Sequence, residues 1–326
     1  MQNSRLSPFV AHAPEFKDVV GERPRLIRVV ETDAHEGPVY VADEDALYFT
    51  SLPRVVAVPA PGSRSVAVRR LQLDGNEFPR RPDDVSTVRE PANMANGMAL
   101  DQGGCLLVCE QGTLFEHGRI SRLEPRTGCT ETLVDAWQGL RLNSPNDVVQ
   151  KRDGTIWFTD PSYGFLQGFK AHPQMGDYVY RYEPGSGRLD VVADGFDKPN
   201  GLAFSPDESV LYVGDSGAIH GPGDYSVQRP HHVLAFDVRD GVHLTNQRLL
   251  AVIAPGFPDG IKVDRAGRVY VSSLSGVQVV SPRGDRLGEI RLPGAVNFAF
   301  GGAEGNLLFV TADSAIWVAV LQTVGG

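Results

Sequence analysis

Apolar residues in this chain come in short alternating runs, and one compound pattern of them recurs six times. Each copy starts at a polar residue, continues as alternating apolar positions, turns, and returns as a second apolar run ending in a small or acidic residue. The copies begin at Glu36 (EGPVYVADEDALYFTS), Asn96 (NGMALDQGGCLLVCE), Asn146 (NDVVQKRDGTIWFTD), Asn200 (NGLAFSPDESVLYVGD), Asp259 (DGIKVDRAGRVYVSS) and Asn297 (NFAFGGAEGNLLFVTAD). Consecutive starts are 60, 50, 54, 59 and 38 residues apart. Period-two alternation broken by Asp-Gly or Pro-Asp turns, as in Arg152-Asp153-Gly154 and Pro206-Asp207-Glu208, predicts a β-hairpin in each copy.

Third strands follow as RISRLEP, YVYRYEP, HVLAFDV and VQVVSP, and fourth strands as ETLVDAW, LDVVADG and RLLAVIA. Four antiparallel strands per repeat of about 40–50 residues make a propeller blade. The fold class expected is therefore all-β, a six-bladed β-propeller. After Asn297 the chain has room for three strands only, the last at 315–321, while residues 26–30 (LIRVV) form an orphan strand before the first repeat. If that orphan completes the last blade, the ring closes and leaves no open edge. Residues 1–25 are then an N-terminal extension, and 26–326 a single propeller domain.

First strands of propeller blades line the central channel, so the six blade starts should face one another across it. Asn and Asp punctuate turns constantly, which is one reading of these positions. The other is coordination, since Glu36 is no turn former and all six starts are polar. Two carboxylates among several amide oxygens suit a hard cation with many ligands, Ca²⁺ above all, and zinc less because no His or Cys occupies these positions. A second column, at the ends of the second strands, comprises Ser51, Glu110, Asp160, Asp215, Ser273 and Asp313. Its acids either orient the first column or simply end strands. Two long loops on this face, 163–177 and 217–231, offer Tyr163, Phe165, Phe169, His172, His220, Tyr225 and Arg229 as pocket walls.

Composition narrows the partner class. With 31 Lys and Arg against 40 Asp and Glu, the net charge is −9, which disfavours nucleic acid because phosphate binding needs clustered cations. No run approaches the roughly 20 apolar residues of a membrane span. The first 20 residues lack the apolar core of a secretory signal, so a cytoplasmic location is expected. Cys105, Cys109 and Cys129 form no even set for pairing, and buried packing accounts for them. A small-molecule substrate remains, and the oligomeric state is left open.

The stretches Glu36-Gly37-Pro38, Ser144-Pro145-Asn146-Asp147, Phe158-Thr159-Asp160-Pro161, Lys198-Pro199-Asn200-Gly201 and Phe257-Pro258-Asp259-Gly260 resemble, in order and over nearly the whole chain, the gluconolactonase/senescence-marker-protein (regucalcin) family. Residues 296–302 (VNFAFGG) are similar to that family's last-blade segment. The resemblance implies a channel cation, usually Ca²⁺ though Zn²⁺, Mn²⁺ or Mg²⁺ are alternatives, and hydrolysis of sugar or other small lactones. It implies Glu36, Asn146, Asn200 and Asp259 as metal ligands, with Asp259 and Asn96 as the catalytic and substrate-facing residues. Asn297, Asp160, Asp215, Glu110 and Tyr163 would support the site or line its pocket. Two alternatives stand beside the lactonase: a metal-dependent phosphotriesterase and a non-catalytic propeller with a structural calcium. Where organophosphate-hydrolysing relatives carry a histidine this chain has Phe298 and Ala299, and Gln111 stands where many gluconolactonase-like members carry His.

Overall fold

The computed structural model describes residues 7–57 and 63–326. Six antiparallel sheets surround a channel, and each expected repeat supplies one of them. Their innermost strands are Glu36–Val41, Ala95–Leu100, Val148–Gln150, Pro199–Phe204, Ile261–Val263 and Asn297–Gly301, here numbered as blades 1 to 6. Alternation makes the blades because every second side chain must face a neighbouring sheet. Those faces meet in six apolar clusters, one at each blade-to-blade junction. Phe158 and Tyr180 fill the junction of blades 2 and 3, and Trp157 that of blades 3 and 4. Each such fully buried apolar side chain contributes roughly 1.5–3 kcal/mol.

The orphan strand does close the ring. It runs Arg25–Ala34 and pairs antiparallel with Asp313–Val320, with Leu26 opposite Ala319 and Arg28 opposite Trp317. The two chain ends thus share blade 6, where Arg25–Ala34 is the outermost strand and Asn297–Gly301 the innermost. The segment ahead of the closing strand also packs on the body. Phe9–Ala11 adds a fifth strand to blade 5, with Phe9 opposite Ile290. Phe16 and Val19 then enter the cluster between blades 5 and 6. The alternation rule gave no sign of this, because a three-residue strand is too short to show a period.

Candidate active site

The polar blade starts do meet at one end of the channel. Glu36, Asn96, Asn146, Asn200 and Asp259 all line a cavity of about 250 Å³. Glu36 and Asn297 open their strands, Asn96 and Asn200 are second residues of theirs, and Asn146 and Asp259 lie just before theirs. A wider hollow of about 440 Å³ opens at the other end of the channel, lined by the far halves of the inner strands, and contains none of the six. The smaller cavity, which gathers five of the six, is therefore the candidate site.

Glycine after the polar residue is what lets the inner strands converge. A Cβ on Gly97 would stand 2.4 Å from Asn146 O, and one on Gly201 would stand 2.1 Å from Asp259 O. Either contact is impossible, so the neighbouring strand would be forced outward. Instead Gly97 N–H donates to Asn146 O at 2.8 Å and Gly201 N–H to Asp259 O at 3.1 Å. Thr159 Oγ1 donates to Asn200 O at 2.8 Å in the same belt. The recurrent Asn-Gly and Asp-Gly pairs of the sequence are thus packing requirements as well as chemical ones.

Glu36 is buried, and its Oε2 accepts from Gly37 N at 3.0 Å and from Asn297 Nδ2 at 2.7 Å. Asn297 Oδ1 in turn accepts from Phe298 N at 2.8 Å. Asn297 is therefore the residue that anchors Glu36 across the junction of blades 6 and 1. Asp259 stands against both Glu36 and Asn200; burial, then the Glu36 charge, push it well above the usual carboxylate range. Asp147 Oδ2, deeper in the channel, lies 3.9 Å from Lys262 Nζ. Burial carries Asp147 up to about 6 although Lys262 opposes the shift.

Asn96 Oδ1 is buried with no hydrogen-bond partner among the described residues. Tyr163, in the short helix Tyr163–Leu166, is also buried at the cavity, and its hydroxyl has no well-formed hydrogen bond. Burial, reinforced by Asp259, raises Tyr163 far above an ordinary phenol, so it is a neutral O–H donor there.

The second column splits. Asp160 Oδ2 and Oδ1 accept from Asn143 N at 2.8 Å and Ser144 N at 2.7 Å. Asp215 Oδ2 accepts from Asp197 N at 3.0 Å, and its Oδ1 from Lys198 N at 2.9 Å and Gly217 N at 3.1 Å. These two acids hold the turns that lead into Asn146 and Asn200. Glu110 does something else: it accepts from Arg89 Nη1 and Ser121 Oγ, each at 2.6 Å, and faces Arg119 Nη2 at 2.6 Å. Burial opposes its charge, but Arg89, Ser121 and Arg119 outweigh burial and hold Glu110 below the usual range. It does not line the cavity.

Of the loop residues expected as walls, Tyr163 alone lines the cavity. Phe165 and His172 border a separate hollow of about 260 Å³, and Phe169 is buried between blades 1 and 2. His220 is held by Asp197 and Arg229 by Asp224. The walls come instead from His35, Met94, Gln111, Ile219, Pro222 and Phe257. Gln111 is the residue already marked in the sequence as standing in place of a histidine, and His35 could have been noticed as the residue beside Glu36.

The donor set at the base of the cavity is all oxygen: two carboxylates and the amides of Asn146 and Asn200. Among the described residues no three His, Cys, Asp or Glu side chains gather as a metal-binding group. A divalent cation is compatible with this donor set, because it would offset the repulsion between the two abutting acids and Asn carbonyls are hard-cation ligands.

Residues 34–314 match the family model described as SMP-30/Gluconolactonase/LRE-like region. A gluconolactonase of Zymomonas mobilis is 29% identical over 328 residues, covering 96% of this chain and 86% of its own. The solved gluconolactonase of Xanthomonas campestris superposes with a TM-score of 0.78 at 33% identity, covering 97% of this chain and 96% of that one. A calcium-binding regucalcin of Agrobacterium tumefaciens shares the fold, with a TM-score of 0.65 at 14% identity over 92% of this chain and 97% of that one. With the blades, the polar ring and the matched span in agreement, the chain belongs to the SMP-30/gluconolactonase/LRE-like family.

Proposed function

We propose that this chain hydrolyses the ring ester of a small lactone, a sugar lactone or similar, with the help of a divalent cation, Ca²⁺ in the first instance, held by Glu36, Asn146, Asn200 and Asp259. As an enzyme it is a lactonase, in keeping with gluconolactonase relatives that match it end to end. The observation that carries the cation assignment is the contact of two acids, Glu36 and Asp259, beside two amides at the base of one cavity.

The reaction adds water to the lactone carbonyl, breaks the ring C–O bond and returns a proton to the ring oxygen, giving a hydroxy acid. When bound, the cation supplies Lewis acidity toward the carbonyl oxygen. Asp259, open to the cavity, accepts a hydrogen bond from the attacking water and steers it. Asn96, on the wall with an unpaired amide oxygen, holds the substrate. Tyr163 contributes an O–H donor beside Asp259 that stays neutral throughout. Asn297 fixes the orientation of the Glu36 carboxylate at the base of the cavity.

Asp259→Asn preserves volume and removes one charge. Calorimetric Ca²⁺ binding should weaken together with hydrolysis, the latter by about 100-fold or more. EDTA should abolish turnover in a pH-indicator screen of γ- and δ-lactones and aryl phosphotriesters, and Ca²⁺ should restore it. A variant that turns over lactones at the native rate, or EDTA-resistant activity, sinks the metal-dependent assignment.

A further inference from the structure

One polar side chain on the cavity wall has no task in that scheme. His35 sits where the closing strand of blade 6, Arg25–Ala34, crosses into the first strand of blade 1. Its backbone N–H donates to Thr50 O at 2.8 Å. Its Nδ1 meets Asp313 Oδ1 at 2.7 Å, across 278 residues of sequence. Asp313 opens the strand Asp313–Val320 with φ of 53°, a left-handed conformation that Asp tolerates better than most non-glycine residues. The ring of His35 is thus fixed from both ends of the chain.

A carboxylate on Nδ1 selects the proton there, which leaves Nε2 as the polar edge available to another group. Nε2 has no hydrogen-bond partner among the described residues. With 31% of its side chain exposed, His35 is a wall of the cavity rather than a member of its base. The ester of a lactone has only acceptor oxygens, which a neutral Nε2 cannot engage. A hydroxyl both donates and accepts, so it alone matches Nε2 in either charge state.

We propose that the Asp313–His35 pair is a specificity element, in which His35 Nε2 hydrogen-bonds a hydroxyl carried on the substrate ring while Asp313 fixes the imidazole. This rests on the lactonase reading and refines it, since it assigns a residue to the hydroxyl pattern of the substrate. The competing explanation is that the pair merely clasps blade 6 to blade 1.

The test compares D-glucono-δ-lactone with δ-valerolactone, the same ring without hydroxyls, on the Ca²⁺-loaded chain. His35→Phe should lower the ratio of the two kcat/KM values by roughly tenfold, mainly through KM of the hydroxylated lactone. His35→Gln, which restores a polar group, should recover part of that ratio, and Asp313→Ala should lower it by about threefold. 1,5-Anhydro-D-glucitol, which has the ring hydroxyls and no ester, should compete with substrate on the wild type and about tenfold more weakly on His35→Phe. A lowered melting temperature with the ratio and the inhibition unchanged means that the pair only clasps, and overturns the proposal. If the wild type opens neither lactone, the lactonase reading falls and takes the proposal with it.

Discussion

Asp160 in blade 3 and Glu110 in blade 2 occupy the same place in the repeat, the last residue of the second strand, and both are wholly buried. Asp160 satisfies itself on backbone N–H groups of a turn, at 2.7 and 2.8 Å, and that turn delivers Asn146 to the cavity. Glu110 is one methylene longer, and it is met by guanidinium groups instead: Arg89 from the outer strand of blade 1 and Arg119 from its own sheet. One column of the repeat therefore contains two devices. A short acid grips the approach to the site, and a long one ties two blades together; the neighbours available to each decide which.

If that division holds, the largest effect comes from Glu110→Ala. It leaves two arginines facing a buried void where their counter-charge stood, and breaking such a buried cluster costs about 3–5 kcal/mol. Chemical denaturation should show this loss in full, while kcat/KM and Ca²⁺ affinity of the folded protein stay at wild-type values. A fall in Ca²⁺ affinity would place Glu110 in the site after all and erase the contrast.

Asp215→Ala should do the reverse. Three backbone donors, from Asp197, Lys198 and Gly217, lose their acceptor, and the turn ahead of Asn200 loses its grip. Supports of this kind typically change metal affinity or activity by about 10–100-fold. Titration calorimetry with Ca²⁺ and lactone kinetics should move together by that factor. A loss of stability with unaltered Ca²⁺ binding would reduce Asp215 to an ordinary strand end.

The blades and their closure could be read from alternation because sheet faces have only two sides, and a residue's parity fixes its partner. The ring of Glu36, Asn96, Asn146, Asn200 and Asp259 was legible for the same reason, since equivalent positions in a rotational repeat must converge. The walls were not. Ile219 and Pro222 reach the cavity while His220, between them, turns to Asp197; Phe169 leaves its loop to enter the core between blades 1 and 2. Such choices depend on contacts far apart in sequence, which no local period encodes. The Asp313–His35 contact is the clearest instance, because its partners lie at opposite ends of the chain.

Asp160→Asn sharpens the comparison within the gripping class, and its effect should be the smallest of the three. The variant amide keeps one acceptor oxygen, so it can hold either Asn143 N–H or Ser144 N–H but must turn an NH₂ toward the other. The turn has further anchors beside the carboxylate, one of them, Lys170, within reach of its charge. Lys170 Nζ donates to Leu142 O at 3.1 Å and also to Asn143 O, and Ser144 Oγ accepts from Gly164 N at 2.9 Å. One lost bond on a turn held elsewhere should cost about 1 kcal/mol, equivalent to roughly a fivefold loss in kcat/KM. Lys170→Met should be mild alone, yet combined with Asp160→Asn it should exceed the sum of the single changes, because each anchor covers for the other. Strict additivity in that double-mutant cycle would mean that the two groups hold the turn independently, and that neither anchor covers for the other.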